Sequence, residues 1–236
     1  MDDPGTASIP SIQPEDIDPD RCYFNPGCAM SLYKPEAAEE ILRLLNRRFL
    51  PTKLHTVCCR HEPNLPKGST IINNCAGCDR RFRSLYDGIR TISLWEVLDN
   101  IPALPLPAYD GLTLSVHDSC SFRKKPQVHA AVRSLLDKMR IEVAESAFSG
   151  TKSVCCGDNF YSLVPEEKVV SFQKKRAAQM PCQNVAVYCV GCMKSMAAGG
   201  KTPRHMMDLV LGEPTDPGDT RLDVYHEELE RYIEEH

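Results

Sequence analysis

Ten cysteines of this 236-residue chain follow one order written twice: a single Cys, then a Cys-Cys pair, then C-x-x-C. The first set is Cys28, Cys58, Cys59, Cys75 and Cys78; the second is Cys120, Cys155, Cys156, Cys189 and Cys192. The two gaps hold 34 and 32 residues in the second set but 29 and 15 in the first, which is therefore compressed. A C-x-x-C places two thiolates on one turn, a spacing shared by zinc sites, iron–sulfur centres and redox dithiols. An adjacent pair adds diverging side chains, which suit an extended cluster of several irons better than a single tetrahedral ion. Five thiolates per set also exceed the four that structural zinc takes. The spacing therefore points to metal at both sets, and to iron–sulfur before zinc. Cys22 and Cys182 fall outside the order and read as small buried apolar groups. In "VCCGD", Gly157 is expected to let the backbone approach the metal; in "VCCRHE", Arg60 stands at that position.

Cations follow the cysteines closely, in "CCRH", "CDRRFR", "CSFRKK" and "CMK". Arg60, Arg80, Arg81, Arg123, Lys124 and Lys194 are thus placed to stabilise an anionic thiolate cluster or to receive an anionic substrate, unless they lie on solvated helix faces. The charge distribution agrees. The formal net charge is −4, yet residues 1–20 and 213–236 together carry −13, leaving +9 on the body between them. Basic and aromatic residues do not interleave, so nucleic acid is not the expected partner. His117 and His55 each lie three residues before a motif cysteine, and His205 lies in "TPRHMMDLV". All three read as packed histidines rather than ligands, with hydrogen bonding to a cluster the other role open to His117 and His55.

The elements that must position these residues alternate between strand and helix. "LHTVCC", "STIINNC", "LTLSVHDSC" and "NVAVYC" read as short strands running into cysteine. "TISLWEVL" fits a strand or a short helix. "PEAAEEILRLLNRRF", "GCDRRFRSLYDGI", "PQVHAAVRSLLDKM", "PEEKVVSFQKKRAAQM" and "VGCMKSMAAGG" read as helices, and "TPRHMMDLVLG" as a closing helix capped by Thr202 with Pro203 at its first position. The expected architecture is α/β: two similar, pseudo-duplicated units with mainly parallel sheets, spanning 21–105 and 106–212, with metal at the carboxyl ends of the strands. A disordered or surface-draped acidic arm is expected over 1–20. An acidic linker and a polar C-terminal helix, solvated or serving as a docking element, are expected over 213–236.

Twelve cysteines in a chain of 42% hydrophobic residues are better explained by metal in a reducing compartment than by disulfides. No apolar run reaches membrane-spanning length and the N-terminus lacks the basic and apolar regions of a signal peptide, so a soluble, cytoplasmic protein is expected.

The order C…CC…CxxC, with "HDSC", "VCCGD" and "YCVGC" as they stand in the second half, resembles the cysteine-rich CCG-domain family: proteins of the heterodisulfide reductase B type and their relatives in lactate-utilisation and anaerobic glycerol-3-phosphate dehydrogenase systems. The resemblance covers residues 22–212. It implies a non-cubane 4Fe-4S cluster on Cys120, Cys155, Cys156, Cys189 and Cys192, with Cys155 and Cys156 at the catalytic centre. A second or variant cluster would sit on Cys28, Cys58, Cys59, Cys75 and Cys78. The first half departs from the pattern at Arg60 and in its short second gap, where a helix covering the site is missing. The ferredoxin run C-x2-C-x2-C-x3-C-P is absent, so electrons would come from a partner such as a ferredoxin-like protein or a flavoprotein. Three functions follow: an oxidoreductase component reducing a disulfide or similar small anionic sulfur substrate; an electron-transfer component of a dehydrogenase complex without its own substrate; and a zinc-stabilised interaction protein.

Overall fold

A computed structural model describes residues 14–236. The arm expected over 1–20 lies outside the described residues up to position 13. Its last part makes two short 3-10 turns, Pro14–Asp16 and Pro19–Arg21, and buries Ile17 between them.

The first sheet contains β1 (Cys22–Asn25), β2 (Lys53–Leu54), β3 (Thr70–Asn73) and β4 (Arg90–Ser93), in the order β2-β1-β3-β4. The second contains β5 (Thr113–His117), β6 (Glu142–Val143), β7 (Asn184–Val187) and β8 (Thr202–His205), in the order β6-β5-β7-β8. Every pairing is parallel, and the two strand orders match position for position. The central strands are short, and β3 is buried throughout, as parallel strands packed on both faces must be. In the first unit the connections carry α1 (Cys28–Tyr33), α2 (Pro35–Arg48), α3 (Ala76–Leu85) and α4 (Leu94–Asn100). In the second they carry α5 (Pro126–Lys138), α6 (Glu166–Ala178), α7 (Val190–Ala198) and α8 (Met206–Leu211), and α9 (Leu222–Glu235) follows the second sheet. The expected α/β architecture with parallel sheets is thus the one observed.

Three local expectations change. "TISLWEVL" is both strand and helix: β4 ends at Ser93, whose side chain accepts from the Trp95 N–H in a capping box with Glu96 and starts α4. "LHTVCC" gives only Leu54 to a strand, Lys53–Leu54 beside Tyr23–Phe24 of β1; the His55 N–H still donates to the Phe24 carbonyl at 2.9 Å, and the chain leaves the sheet before the cysteines. Thr202 does not cap a helix. Thr202–His205 is an edge strand on β7, a place where Pro203, lacking an N–H, is tolerated. The cap of α8 falls instead to His205, whose Nδ1 accepts from the Met207 N–H at 3.3 Å. Strand β1 has no counterpart among the expected elements.

The units share one apolar core. Trp95 of α4 is fully buried and meets Tyr188 edge-on at 6.2 Å, and α4 packs on α5. Two buried carboxylates also cross between the halves. Asp208 of α8 accepts from Lys34 Nζ and from Tyr33 Oη, each at 2.7 Å, and Asp79 of α3 accepts from Lys125 Nζ at 2.9 Å. Both lysines directly precede the proline that opens a helix, Pro35 or Pro126, so each unit reaches into the other from the same local feature. Both acids are fully buried; Lys34 is the one cation on Asp208 among the described residues, so removing it would strand a buried charge at a cost of about 3–5 kcal/mol, whereas Asp79 keeps Arg83 at 3.2 Å if Lys125 is lost. Among the described residues no helix is long and apolar enough to cross a membrane.

Candidate metal centre

Both sets are assembled at the carboxyl ends of the central strands, with the same offsets. Cys28 and Cys120 follow the last residues of β1 and β5 by three positions; Cys75 and Cys189 follow those of β3 and β7 by two. Cys28 opens α1, while Cys75 and Cys189 sit at the N-caps of α3 and α7, with Cys78 and Cys192 in the first turns of those helices. A helix N-terminus presents unpaired N–H groups and positive dipole, which favour thiolates. Gly27, before Cys28, has φ +80°, and a Cβ there would lie 2.9 Å from Cys75 Cβ. The close approach of backbone to cysteines expected at a glycine is therefore made here.

The sulfurs form the same chain of contacts in each set. In the first it runs Cys28, Cys58, Cys59, Cys78, Cys75; in the second, Cys120, Cys155, Cys156, Cys192, Cys189. Cys28 and Cys58 stand 3.8 Å apart, and Cys156 and Cys192 3.5 Å. Hydrogen bonds from Cys28 and then Cys59 hold the Cys58 thiol down at about 2, and those from Cys120 and then Cys156 do the same for Cys155. The contact with Cys78 brings Cys75 down to about 7. Others shift the other way: Cys59 rises to about 12 through its contact with Cys58, and Cys28, Cys78, Cys120, Cys156 and Cys192 are pushed well up by neighbouring sulfurs and burial. Five sulfurs packed this closely cannot all ionise unless a cation lies among them. The donor set fits a metal bound through several thiolates.

The loop that delivers Cys155 and Cys156 is pinned by Asp118 of "HDSC". Its fully buried carboxylate accepts from both terminal nitrogens of Arg133 (2.7 and 2.8 Å), from Tyr188 Oη (2.9 Å) and from the Gly150 N–H (2.6 Å). The Ser153 hydroxyl donates to the Asp118 carbonyl. Asn159 Nδ2 donates to Cys120 Sγ at 3.3 Å, and the Gly157 N–H to Cys155 Sγ at 3.4 Å. Gly157 has φ +112°, and its missing side chain makes room for α6: a Cβ would meet Phe172, the Val169 carbonyl and Gln173 at 3.1–3.3 Å. A helix packing behind the turn is thus one reason for a glycine here. The first set has no helix between Cys59 and Cys75, so Arg60 is accommodated.

The two sets face one cavity of about 540 Å³, lined by every motif cysteine except Cys155. Helix α9 lies across it, so of the two readings for the helix within 213–236 it docks on this chain rather than standing free in solvent. Tyr225 and Ile233 are buried; Glu230 takes Arg60 at 2.6 Å, and the Ile233 carbonyl meets His61 Nε2 at 2.8 Å. Toward the second set, His226 stacks on Tyr161 at 4.0 Å and contacts Asp158 at 3.1 Å. Charge patterning hides this role, because the apolar positions that seat the helix, Leu222, Tyr225 and Ile233, are sparse among acids.

Of the basic residues singled out, Arg60, Arg80 and Arg81 line the cavity, all from the first unit. Arg81 Nε donates to the Cys59 carbonyl at 3.1 Å. Arg123 turns to the Ser153 carbonyl at 2.6 Å and Lys194 to the carbonyls of Pro217 and Asp219, so neither serves the cavity. Cys22 is buried beside Thr52, and Cys182 is half-buried; neither joins a sulfur chain. His55 packs between the rings of Tyr23 and Phe82. His117 is different. It is buried, its Nδ1 accepts from Arg176 Nε at 3.0 Å, and one of its ring nitrogens lies within 4.8 Å of both Cys156 Sγ and Cys192 Sγ. Burial, then the Arg176 charge, hold its pKa down at about 3, so the ring is neutral. Arg133 and Arg176 carry no motif of their own, and nothing in their spacing singles them out; Asp118 lies in "HDSC", which reads for its cysteine alone.

No family model matches the chain, and no curated protein matches it.

Proposed function

We propose that the chain is an iron–sulfur oxidoreductase component of the heterodisulfide reductase B type, with one multi-iron cluster of the non-cubane 4Fe-4S kind on each five-cysteine set. In this reading the shared cavity takes a disulfide or similar small sulfur substrate. The observation that carries it is the pair of matching five-sulfur chains opening into one cavity of about 540 Å³, room enough for a small molecule. Such clusters, when bound, supply electrons one at a time. Cleaving a disulfide takes two electrons and two protons and yields two thiols, so two centres facing one substrate match the stoichiometry, with a redox partner protein refilling both. Cys120, Cys156, Cys189 and Cys192 present the second set to the cavity, and Cys155 completes it from behind. Arg80 and Arg81 favour a carboxylated or sulfonated thiol, whereas Arg60 is already neutralised by Glu230. Helix α9 forms part of the cavity wall through Tyr225, His226, Leu229, Glu230 and Ile233.

Purified without oxygen, the full chain is expected to hold about eight irons and matching acid-labile sulfide, four at each set. Oxidation in the presence of a mercaptocarboxylate should then give a paramagnetic signal that oxidation alone does not. Iron and sulfide without any thiol-dependent signal would support the electron-transfer component instead. Zinc near two per chain with little sulfide would make it an interaction protein.

A further inference from the structure

Behind the second cysteine set, two buried groups lack the partners their chemistry calls for. Arg176 of α6 is 2% exposed, and all its hydrogen bonds go to neutral acceptors: Nε to His117 Nδ1 at 3.0 Å, Nη1 to Gln179 Oε1 at 2.9 Å and Nη2 to the Phe148 carbonyl at 2.8 Å. Among the described residues no carboxylate pairs with it, although a buried guanidinium is costly without a counter-charge. His117 is 1% exposed, and its Nε2 has no hydrogen-bond partner among the described residues. One of its ring nitrogens shares a space of 4.8 Å with the sulfurs of Cys156 and Cys192.

The tautomer follows from the partner. A guanidinium nitrogen only donates, so His117 Nδ1 is the bare nitrogen and the proton of the neutral ring sits on Nε2. A protonated nitrogen cannot ligate a metal, but it can donate to sulfur. The unpaired cation behind the ring and the unpaired N–H in front of it both ask for negative charge in the same place. In the first unit the matching position, three residues before Cys28, is Asn25; among the described residues no arginine hydrogen-bonds its side chain, and no helix corresponding to α6 lies between Cys59 and Cys75.

We propose that Arg176 fixes His117 as an N–H donor to sulfur at the Cys156–Cys192 edge of the second centre, and that this charge-backed hydrogen bond sets that centre's reduction potential above the first's. The inference rests on the iron–sulfur reading above. A donor to sulfur and a buried positive charge both favour the more negative, reduced state of a cluster. His117 and Arg176 are positioning residues, not ligands.

The test is a redox titration of the anaerobic, full-length protein followed by EPR, with the first centre as internal reference. Arg176→Met and His117→Phe are each expected to lower the second midpoint by at least tenfold in the reduction equilibrium, about 59 mV for one electron, while the first midpoint stays put. His117→Gln, which keeps an N–H donor, and Arg176→Lys, which keeps the charge, should recover most of the shift with full iron content. Should His117→Phe fail to load, the two Arg176 variants carry the comparison. Unchanged midpoints in an iron-loaded Arg176→Met overturn the proposal and leave the iron–sulfur reading standing. Loss of second-centre iron in His117→Gln also overturns it, by making His117 a ligand. Wild-type protein without iron overturns both.

Discussion

The two cysteine sets occupy the same place on sheets of the same strand order, but what stands behind each set differs. Helix α6 packs against the Cys155–Gly157 turn of the second set and sends Arg176 to His117. The first set, with its shorter gap, has no such helix; its Cys58–Cys59 turn is packed by α9 from beyond the second sheet, through Ile233 and the Arg60–Glu230 pair. Loss of a helix in one connection is thus offset by a helix distant in sequence. The cover is replaced, while the charged group behind the sulfurs is not. The sets agree in how sulfur is gathered and differ in the polarity around it.

The largest effects separate the sets outright. On the iron–sulfur proposal, Cys156→Ser and Cys59→Ser are each expected to lose one centre, about half the bound iron and sulfide, whereas Cys182→Ser keeps all of it; a single variant that emptied both sets would show that they do not load independently. Acid should then distinguish the helix caps at matching strand ends, Ser93 and His205. Burial holds His205 at about 4 in the folded protein, below the ordinary histidine value near 6.5. Its contribution is therefore complete above pH 6.5 and is lost as pH falls toward 4, because the unfolded chain takes up the proton first. The loss is about 3 kcal/mol. Urea unfolding at pH 7 and 4.5 should show a smaller pH effect in His205→Ser than in the wild type. Ser93→Ala should cost about 1 kcal/mol at both values. The smallest contrast lies in the two turns after the cysteine pairs. Gly157→Ala, strained by φ +112° and crowded by α6, is expected to cost about 1–3 kcal/mol. Arg60→Gly, which removes a half-exposed ion pair, should cost under about 1 kcal/mol in the same urea unfolding at pH 7.

Much of this is legible in the sequence because cysteine spacing and strand–helix alternation are local signals. The strands ending at Asn73, His117 and Val187 and the helices starting at Pro35 and Pro126 follow from apolar runs and proline placement. Strand β1 escapes because "CYFN" is too short to show periodicity; pairing with β2 and β3 holds it in place, not its own propensity. Thr202-Pro203 carries a sound helix-start signal that pairing with β7 overrides. Gly157 stands out in the motif for a reason the motif does not contain, since nothing in "VCCGD" says that α6 crosses there. The roles of Arg176 and Asp118 depend on contacts with residues far away in sequence, which composition and spacing do not encode.

Helix α9 has a consequence for the order of events in folding. Its contacts with the first set, Glu230 to Arg60 and Ile233 to His61, close over separations of 170 and 172 residues. Contacts of that span cost the most loop entropy and form only once the sheets hold their ends together. A 14-residue helix with three buried side chains also belongs to the part of a structure that opens at the lowest free energy. Both sulfur chains can therefore be in place while the chamber is still open, giving metal a route to the cysteines before the cover settles.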